Sequence, residues 1–281
     1  MMKMVIATLA ALLVLTACQK ESPPQATAPA AAPQPAEAPV AAPAAEDPAA
    51  APAAEDPAAA LREALTQSSR ADEEKARDAG RKPADVVTFL GFGPGMTVMD
   101  VIAAGGFYTE VLSIAVGENG KVYAQNPPFV LQFRDGMNDK AMTARLADNR
   151  LPNVVRMDAD LPEVAIEAGS LDGAITALNL HDVYNRDPEG AVGMLKLVYG
   201  MLKPGGVFGV IDHAGVAGAD NASLHRMEKA QAIEAATAAG FEIAGDSDLL
   251  SNADDDHTKM VFEEPVRGRT DRFLLKLRRP E

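Results

Sequence analysis

The sequence predicts an α/β domain with a mostly parallel sheet and helices on both faces. Three observations predict it. Five short apolar runs alternate with stretches of helical spacing from Val98 onward, the pattern of a wound parallel sheet. The first run passes through Gly105-Gly106 straight into a helix. And polar residues gather at the predicted C-terminal ends of the strands: Asp100, Gln125, Asp158, His181 with Asp182, and Asp212 with His213. Strand interiors between them are almost wholly apolar. Ligands bind at that edge of open α/β sheets, so the asymmetry points to a site.

The opening unit is Val98 to Leu112. Val98, Met99, Val101 and Ile102 form an apolar run of strand length, with Asp100 inside it. A charge there is costly unless it is partnered. Gly105 and Gly106 permit close approach and unusual backbone angles. Phe107, Val111 and Ile114 then recur at helical spacing. A helix that starts in this way can hold a ligand at its N-terminus; the same glycines also suit a plain βα turn.

Before this unit, mixed charges predict a polar helix over 61–79. Pro83 begins a second helix with Val86, Phe89 and Leu90 inward, and Gly91 to Gly95 make a turn. After it, residues 120–126 read as a second strand stopped by Pro127-Pro128, and 137–148 as a surface helix. Asn153 to Asp158 is a third strand and Leu171 to Asn179 a fourth, which ends at Leu180-His181-Asp182. Ala191, Met194, Leu195, Val198, Met201 and Leu202 share one helical face, stopped by Lys203-Pro204-Gly205-Gly206. Val207 to Ile211 is a fifth strand. A helix from Ser223 places Leu224, Met227, Ile233 and Ala236 inward. Phe241 to Ala244 and Phe273 to Leu277 suit an antiparallel pair at one edge. The run Asp254-Asp255-Asp256-His257 lacks the glycine and distal glutamate of a calcium loop and reads as solvated.

Residues 1–60 stand apart. Residues 1–17 carry Lys3 and an apolar run from Val5 to Leu15, which reads as a signal peptide too short to span a membrane. Residues 18–60 are an Ala/Pro-rich tether, with the unit Ala-Pro-Ala-Ala-Glu-Asp-Pro-Ala-Ala at 42–50 and again at 51–59. Frequent proline favours extended, solvated chain. The folded domain is expected over 61–281, about 220 residues, enough to bury a core.

The charge balance is 26 Lys and Arg against 40 Asp and Glu, a formal −14. Such a surface disfavours nucleic acid as a partner, and none is expected. Cys18 is the sole cysteine, so no intramolecular disulfide is possible. No second apolar stretch approaches a membrane span.

Two resemblances follow. Leu15-Thr16-Ala17-Cys18 resembles the cleavage box of bacterial lipoproteins. It implies a mature chain lipidated at Cys18, and Gln19 in that family implies the periplasmic side of the outer membrane. From Pro94 to Leu277, the order of motifs resembles a class I S-adenosylmethionine-dependent methyltransferase. The residues that carry it are Pro94 to Asp100, Ala104 to Glu110, Gly120 to Tyr123, Asp158-Ala159, Leu171 to Ala174 and Leu202-Lys203-Pro204-Gly205-Gly206. Asn179 to Asp182, Leu224 to Arg226 and Thr270 to Phe273 resemble a narrower group of secreted bacterial proteins described as predicted methyltransferases.

The resemblance implies a Rossmann-like sandwich, a seven-stranded sheet ending in an antiparallel hairpin, with S-adenosylmethionine as cofactor. Asp100, Gly105 and Gly106 would meet its methionine and ribose, Asp158 and Ala159 its adenine, and Asn179 to Asp182 would face the transferred methyl group. Two departures stand out. Ile102 and Ala104 occupy positions where the family carries glycine, and Gln125 or Asn126 replaces the acid that accepts both ribose hydroxyls. An amide lacks the charge-assisted strength of that carboxylate.

For methyl transfer the available bases are His213 beside Asp212 and His181 beside Asp182. Each pair could equally be a hydrogen-bonded strand end. His225 could line the mouth of the site. His181, Asp182, Asp212 and His213 could also converge on a metal, but no close-spaced ligand motif accompanies them and none is assigned. The expected activity is methylation of an unspecified small molecule. The alternative is a non-catalytic periplasmic binding lipoprotein on the same fold.

Overall fold

A computed structural model describes residues 56–281. The predicted signal peptide, Cys18 and nearly all of the tether lie outside the described residues.

The sheet has seven strands: β1 (Thr97–Val101), β2 (Lys121–Gln125), β3 (Val154–Met157), β4 (Leu171–Ala177), β5 (Leu202–His213), β6 (Glu242–Ser247) and β7 (Arg272–Arg278). Their order is β3-β2-β1-β4-β5-β7-β6. The first five are parallel, while β7 runs antiparallel between β5 and β6. This is the expected mixed sheet with its antiparallel hairpin. The order reverses between β1 and β4, which opens a crevice at their C-terminal ends.

The helices are α1 (Ala59–Gln67), α2 (Asp72–Ala76), α3 (Asp78–Arg81), α4 (Pro83–Leu90), α5 (Phe107–Val116), α6 (Pro128–Leu146), α7 (Leu180–Arg186), α8 (Pro188–Met201) and α9 (Lys229–Ala238). Strand alternation sends neighbouring side chains to opposite layers. Met99, Ala174, Phe208 and Leu275 pack with Leu195, Val198 and Ala235 of α8 and α9. Val98, Ile175, Ile211 and Leu274 pack with Val86, Leu90 and Val111 of α4 and α5.

Several boundaries differ from the expected ones. The helix expected over 61–79 is broken into α1, α2 and α3. Arg70 turns inward at the break and forks onto Asp78 with two bonds of 2.7 Å. Pro127-Pro128 ends β2 but also starts α6, because proline suits the first turn of a helix. α6 is kinked over Phe133 to Gly136. The strand expected to reach Asn179 stops at Ala177, and α7 follows at once. The helix expected from Ser223 starts only at Lys229, behind a Glu228–Gln231 capping box. Residues before it are held as a loop by Arg226, buried and forked onto Asp255 at 2.9 and 3.0 Å. Asp255 is therefore not solvated, as the acidic run suggested, but is one half of a buried ion pair.

Candidate active site at the β1–β4 crevice

β1 ends at Val101, and the chain then turns through three left-handed residues: Ile102 (φ 57°), Ala104 (φ 49°) and Gly106 (φ 84°). A β-branched residue in that region is a backbone outlier. Surrounding side chains hold it there. Gln125 Oε1 accepts from the Ile102 N–H (3.1 Å), and Asn179 Nδ2 donates to the Ile102 carbonyl (3.1 Å). Asn126 brackets Ala104, accepting from its N–H (2.7 Å) and donating to its carbonyl (3.1 Å). Arg145 Nε donates to the Gly105 carbonyl (2.8 Å). The two positions where glycine was expected thus keep a glycine-like backbone. Gly105 and Gly106 admit α6: a Cβ at Gly105 would stand 3.1 Å from Ala141 Cβ, and one at Gly106 would stand 2.9 Å from Met142 Cε.

A cavity of about 400 Å³ opens beside this turn. Asp100, Tyr108 and Asn179 line its inner part, and Arg77, Arg81 and Arg145 its rim. Asp100 is buried and accepts from Thr109 Oγ1 at 2.7 Å. Burial pushes its carboxyl up to about 7, against the Thr109 hydrogen bonds that favour the charged form. Burial pushes Tyr108 up to about 12, so its phenol keeps its proton.

The arginines differ in their partners. Arg77 pairs with Glu74, and Arg145 with buried Glu110, which Arg150 also engages. Burial would raise Glu110, but the two guanidiniums hold it below its usual range. Arg81 makes no ion pair among the described residues. Its guanidinium rests on the Phe107 ring, 4.5 Å from the centroid, with Arg77 and Arg70 on the same ring at 4.8 and 5.2 Å. Burial lowers Arg81 to about 10, with Arg77 and Arg272 adding to the effect. It remains a cation at neutral pH, facing a cavity whose acids are Asp100 and Glu74, the latter engaged by Arg77 and Arg145.

The histidines form a separate cluster at the ends of β4 and β5. Asp212, fully buried, accepts from the His181 N–H (2.7 Å) and the His213 N–H (2.8 Å), and lies 2.6 Å from His181 Nδ1. Burial opposes charge on His181, yet Asp212 and Asp182 outweigh it and raise the imidazole to about 10. His213 goes the other way. Burial, the cationic His181 and Arg272 hold it well below its ordinary value, and its Nδ1 meets Thr270 Oγ1 at 2.7 Å. Two histidines with rings 5.6 Å apart are thus pushed in opposite directions, His181 toward the charged form and His213 toward the neutral one. Asp182 Oδ1 also meets His225 Nδ1 at 2.9 Å.

The structure brings Asp100, Gly105 and Asn179 to one cavity, with Gly106 in the turn beside it. Asp158 and Ala159 are elsewhere. Asp158 pairs with Arg156 at 2.8 Å and borders a second hollow of about 280 Å³ with Leu131 and Asp139. The Ala159 carbonyl accepts from Gln125 Nε2 at 2.9 Å. Both polar ends of Gln125, and both of Asn126, are therefore engaged by backbone. Sequence reasoning missed Arg81 and Arg145. For Arg81 a signal existed: Arg77 and Arg81 are four apart, a like-charge spacing that disfavours a free helix.

No protein-family model matches this chain, and no curated protein matches it. Solved structures do. A SAM-dependent methyltransferase from Aquifex aeolicus matches with TM-score 0.52 and 19% identity, covering 70% of this chain and 89% of that one. An arsenic(III) S-adenosylmethionine methyltransferase from Chlamydomonas reinhardtii matches with TM-score 0.50 and 16% identity, covering 81% and 75%. The cyclase SpnF matches with TM-score 0.52 and 17% identity, covering 72% and 81%. At such identities the likeness is one of fold, and a cyclase among the matches shows that the fold alone names no reaction. The chain has the Rossmann-like fold of S-adenosylmethionine-dependent methyltransferases.

Proposed function

We propose that the protein is an S-adenosylmethionine-dependent methyltransferase acting on a small molecule. In this reading it is exported and held by a lipid at Cys18 on the periplasmic side of the outer membrane. The observation that carries the enzymatic part is the unpaired Arg81 guanidinium, set with Asp100 and Asn179 around one cavity at the crossover of the sheet. That trio suits a zwitterionic amino acid. Arg81 would take the carboxylate, and the ionised Asp100 the ammonium group. The amino-acid half of the cofactor therefore fits. The nucleoside half has fewer partners, since Gln125 and Asn126 are turned into the loop.

When bound, the cofactor supplies an electrophilic methyl group. The chain's own residues orient the reactants and handle the proton. This reading takes its base from the separate cluster at the ends of β4 and β5: His213, held toward the neutral form, although it is not among the residues that line the cavity. Thr270 fixes its ring from Nδ1.

The test is calorimetric titration of S-adenosylmethionine and S-adenosylhomocysteine into the full chain, with Arg81→Ala as the partner variant. The expected result is saturable binding weakened at least about tenfold in the variant, the loss of one charge-assisted contact. No binding at millimolar ligand to the folded chain overturns the proposal.

A second reading is a non-catalytic binding protein for a small zwitterion. The engagement of Gln125 and Asn126 by backbone favours it, since no carboxylate awaits the ribose at the end of β2. Export favours it as well, because S-adenosylmethionine is made in the cytoplasm. Binding of free amino acids without binding of either nucleoside would select this reading.

A further inference from the structure

His181 Nε2 is buried and has no hydrogen-bond partner, in a residue only 2% exposed. The far side of the ring is fixed by Asp212 at Nδ1. On the other side of the ring, Nε2 faces Asp182 Oδ1, 3.3 Å away. His225 Nδ1 approaches the same carboxylate oxygen at 2.9 Å. All three donor atoms lie within 4.8 Å of one another. Two donors each about 2.0–2.1 Å from a tetrahedral ion stand about 3.3 Å apart. The spacing of these three atoms already approaches that of a ligand set.

We propose that His181, Asp182 and His225 bind one divalent first-row transition-metal ion, with an open position left for water or a small ligand. None of the three ligands is among the residues that line the cavity. Two imidazoles and a carboxylate are the donors that zinc and its neighbours select, whereas calcium and magnesium prefer oxygen throughout. Asp212 supplies the outer carboxylate that orients a ligating histidine and sets its tautomer. The ion enters from solvent, because the Asp182 side chain is 61% exposed and that of His225 36%. On binding it displaces the Nε2 proton to solvent.

His225 is held for the role. Its backbone is left-handed (φ 53°), its ring lies 5.1 Å from that of Phe262, and its neighbour Arg226 is anchored on Asp255. The partners come from different parts of the fold. Asp182 and His181 open α7, while His225 sits in the loop before α9. Such a set cannot be found by close spacing in the chain.

The test uses the full chain with Cys18→Ser, which removes its only thiol, stripped by chelator and dialysed. Zn²⁺ is titrated calorimetrically, and Co²⁺ is added as a visible-absorbance probe of coordination. His225→Ala and Asp182→Ala change partly exposed side chains, with folding checked by circular dichroism. His257→Ala removes another histidine beside a carboxylate, Asp271 at 2.9 Å, and serves as the control. Expected are one Zn²⁺ per chain, at least about a tenfold loss of affinity in each of the first two variants, and none in His257→Ala. Co²⁺ should give the intense visible bands of a low-coordinate site, and millimolar Mg²⁺ or Ca²⁺ should not compete. No saturable zinc uptake by the folded chain overturns the proposal. So does uptake unchanged in both His225→Ala and Asp182→Ala.

Discussion

Asp100 shows at the residue scale how burial and function pull against each other. Its carboxyl is raised to about 7 by burial, well above its value in an unfolded chain. The native state therefore holds a proton that the unfolded state has already released. The stabilisation is complete below about pH 4 and is lost as pH rises to about 7, at up to about 1.4 kcal/mol per pH unit. Asp100→Asn keeps a side-chain oxygen for the Thr109 hydroxyl and has no charge to desolvate. The variant's melting temperature should therefore gain on that of the wild type steadily from pH 4 to pH 7, then run parallel above it. A constant difference across that range would show that Asp100 is ionised throughout. Asp100 could be read from the sequence, because a charge inside an apolar strand demands a partner. Asn179, His181 and His213 could be read likewise, as polar residues at strand ends. Arg81 left only a weak trace, its like-charge spacing from Arg77, and nothing local shows that it faces a cavity. The Asp182–His225 contact joins residues 43 positions apart, and no local pattern announces it.

At the scale of elements, the strands were legible and several helix boundaries were not. A strand in this sheet is a short apolar run between turns, and that pattern is local. Beside the ends of α1 and α9 lie two ion pairs, Arg70 with partly exposed Asp78 and the buried Arg226 with Asp255, whose partners are distant or look solvated in sequence. The turn between β1 and α5 allows a sharper test. Ala104 stands at φ 49° and Gly106 at φ 84°, two residues apart. A left-handed L-residue costs roughly 1–2 kcal/mol that glycine does not. Glycine in turn loses about 0.5–1 kcal/mol of chain entropy on folding. Ala104→Gly should therefore be neutral to stabilising, by up to about 1 kcal/mol, against the usual sign of that exchange. Gly106→Ala should destabilise by about 1–2 kcal/mol, because it adds the strain and crowds Met142 and Arg145. Urea unfolding of both variants checks the pair. Equal destabilisation by both would mean that the turn is not left-handed at Ala104.

For the whole molecule, location bears directly on chemistry. A cationic rim and a buried acid surround the cavity of a chain whose formal charge is −14. The positive site is thus a local exception, built by Arg77, Arg81 and Arg145 on an acidic body that repels polyanions. Such a site is open to small zwitterions wherever the protein resides, but S-adenosylmethionine is at hand only in the cytoplasm. The reading of Leu15-Thr16-Ala17-Cys18 as a lipoprotein box therefore makes a prediction with consequences for the reaction. In cells, the wild-type chain should sediment with the outer membrane and carry a lipid mass on a peptide beginning at Cys18. Cys18→Ser should lose the lipid and leave the membrane pellet. A single acyl chain binds membranes only marginally, so stable sedimentation requires the several chains of a lipoprotein anchor. If wild type and variant both remain in the cytoplasm with residue 1 intact, export is overturned. The main objection to a methyltransferase then disappears. If the anchor is found as expected, the cofactor must reach the cavity from outside the cytoplasm. The balance then moves toward a binding protein, unless the titration of S-adenosylmethionine shows saturation that depends on Arg81.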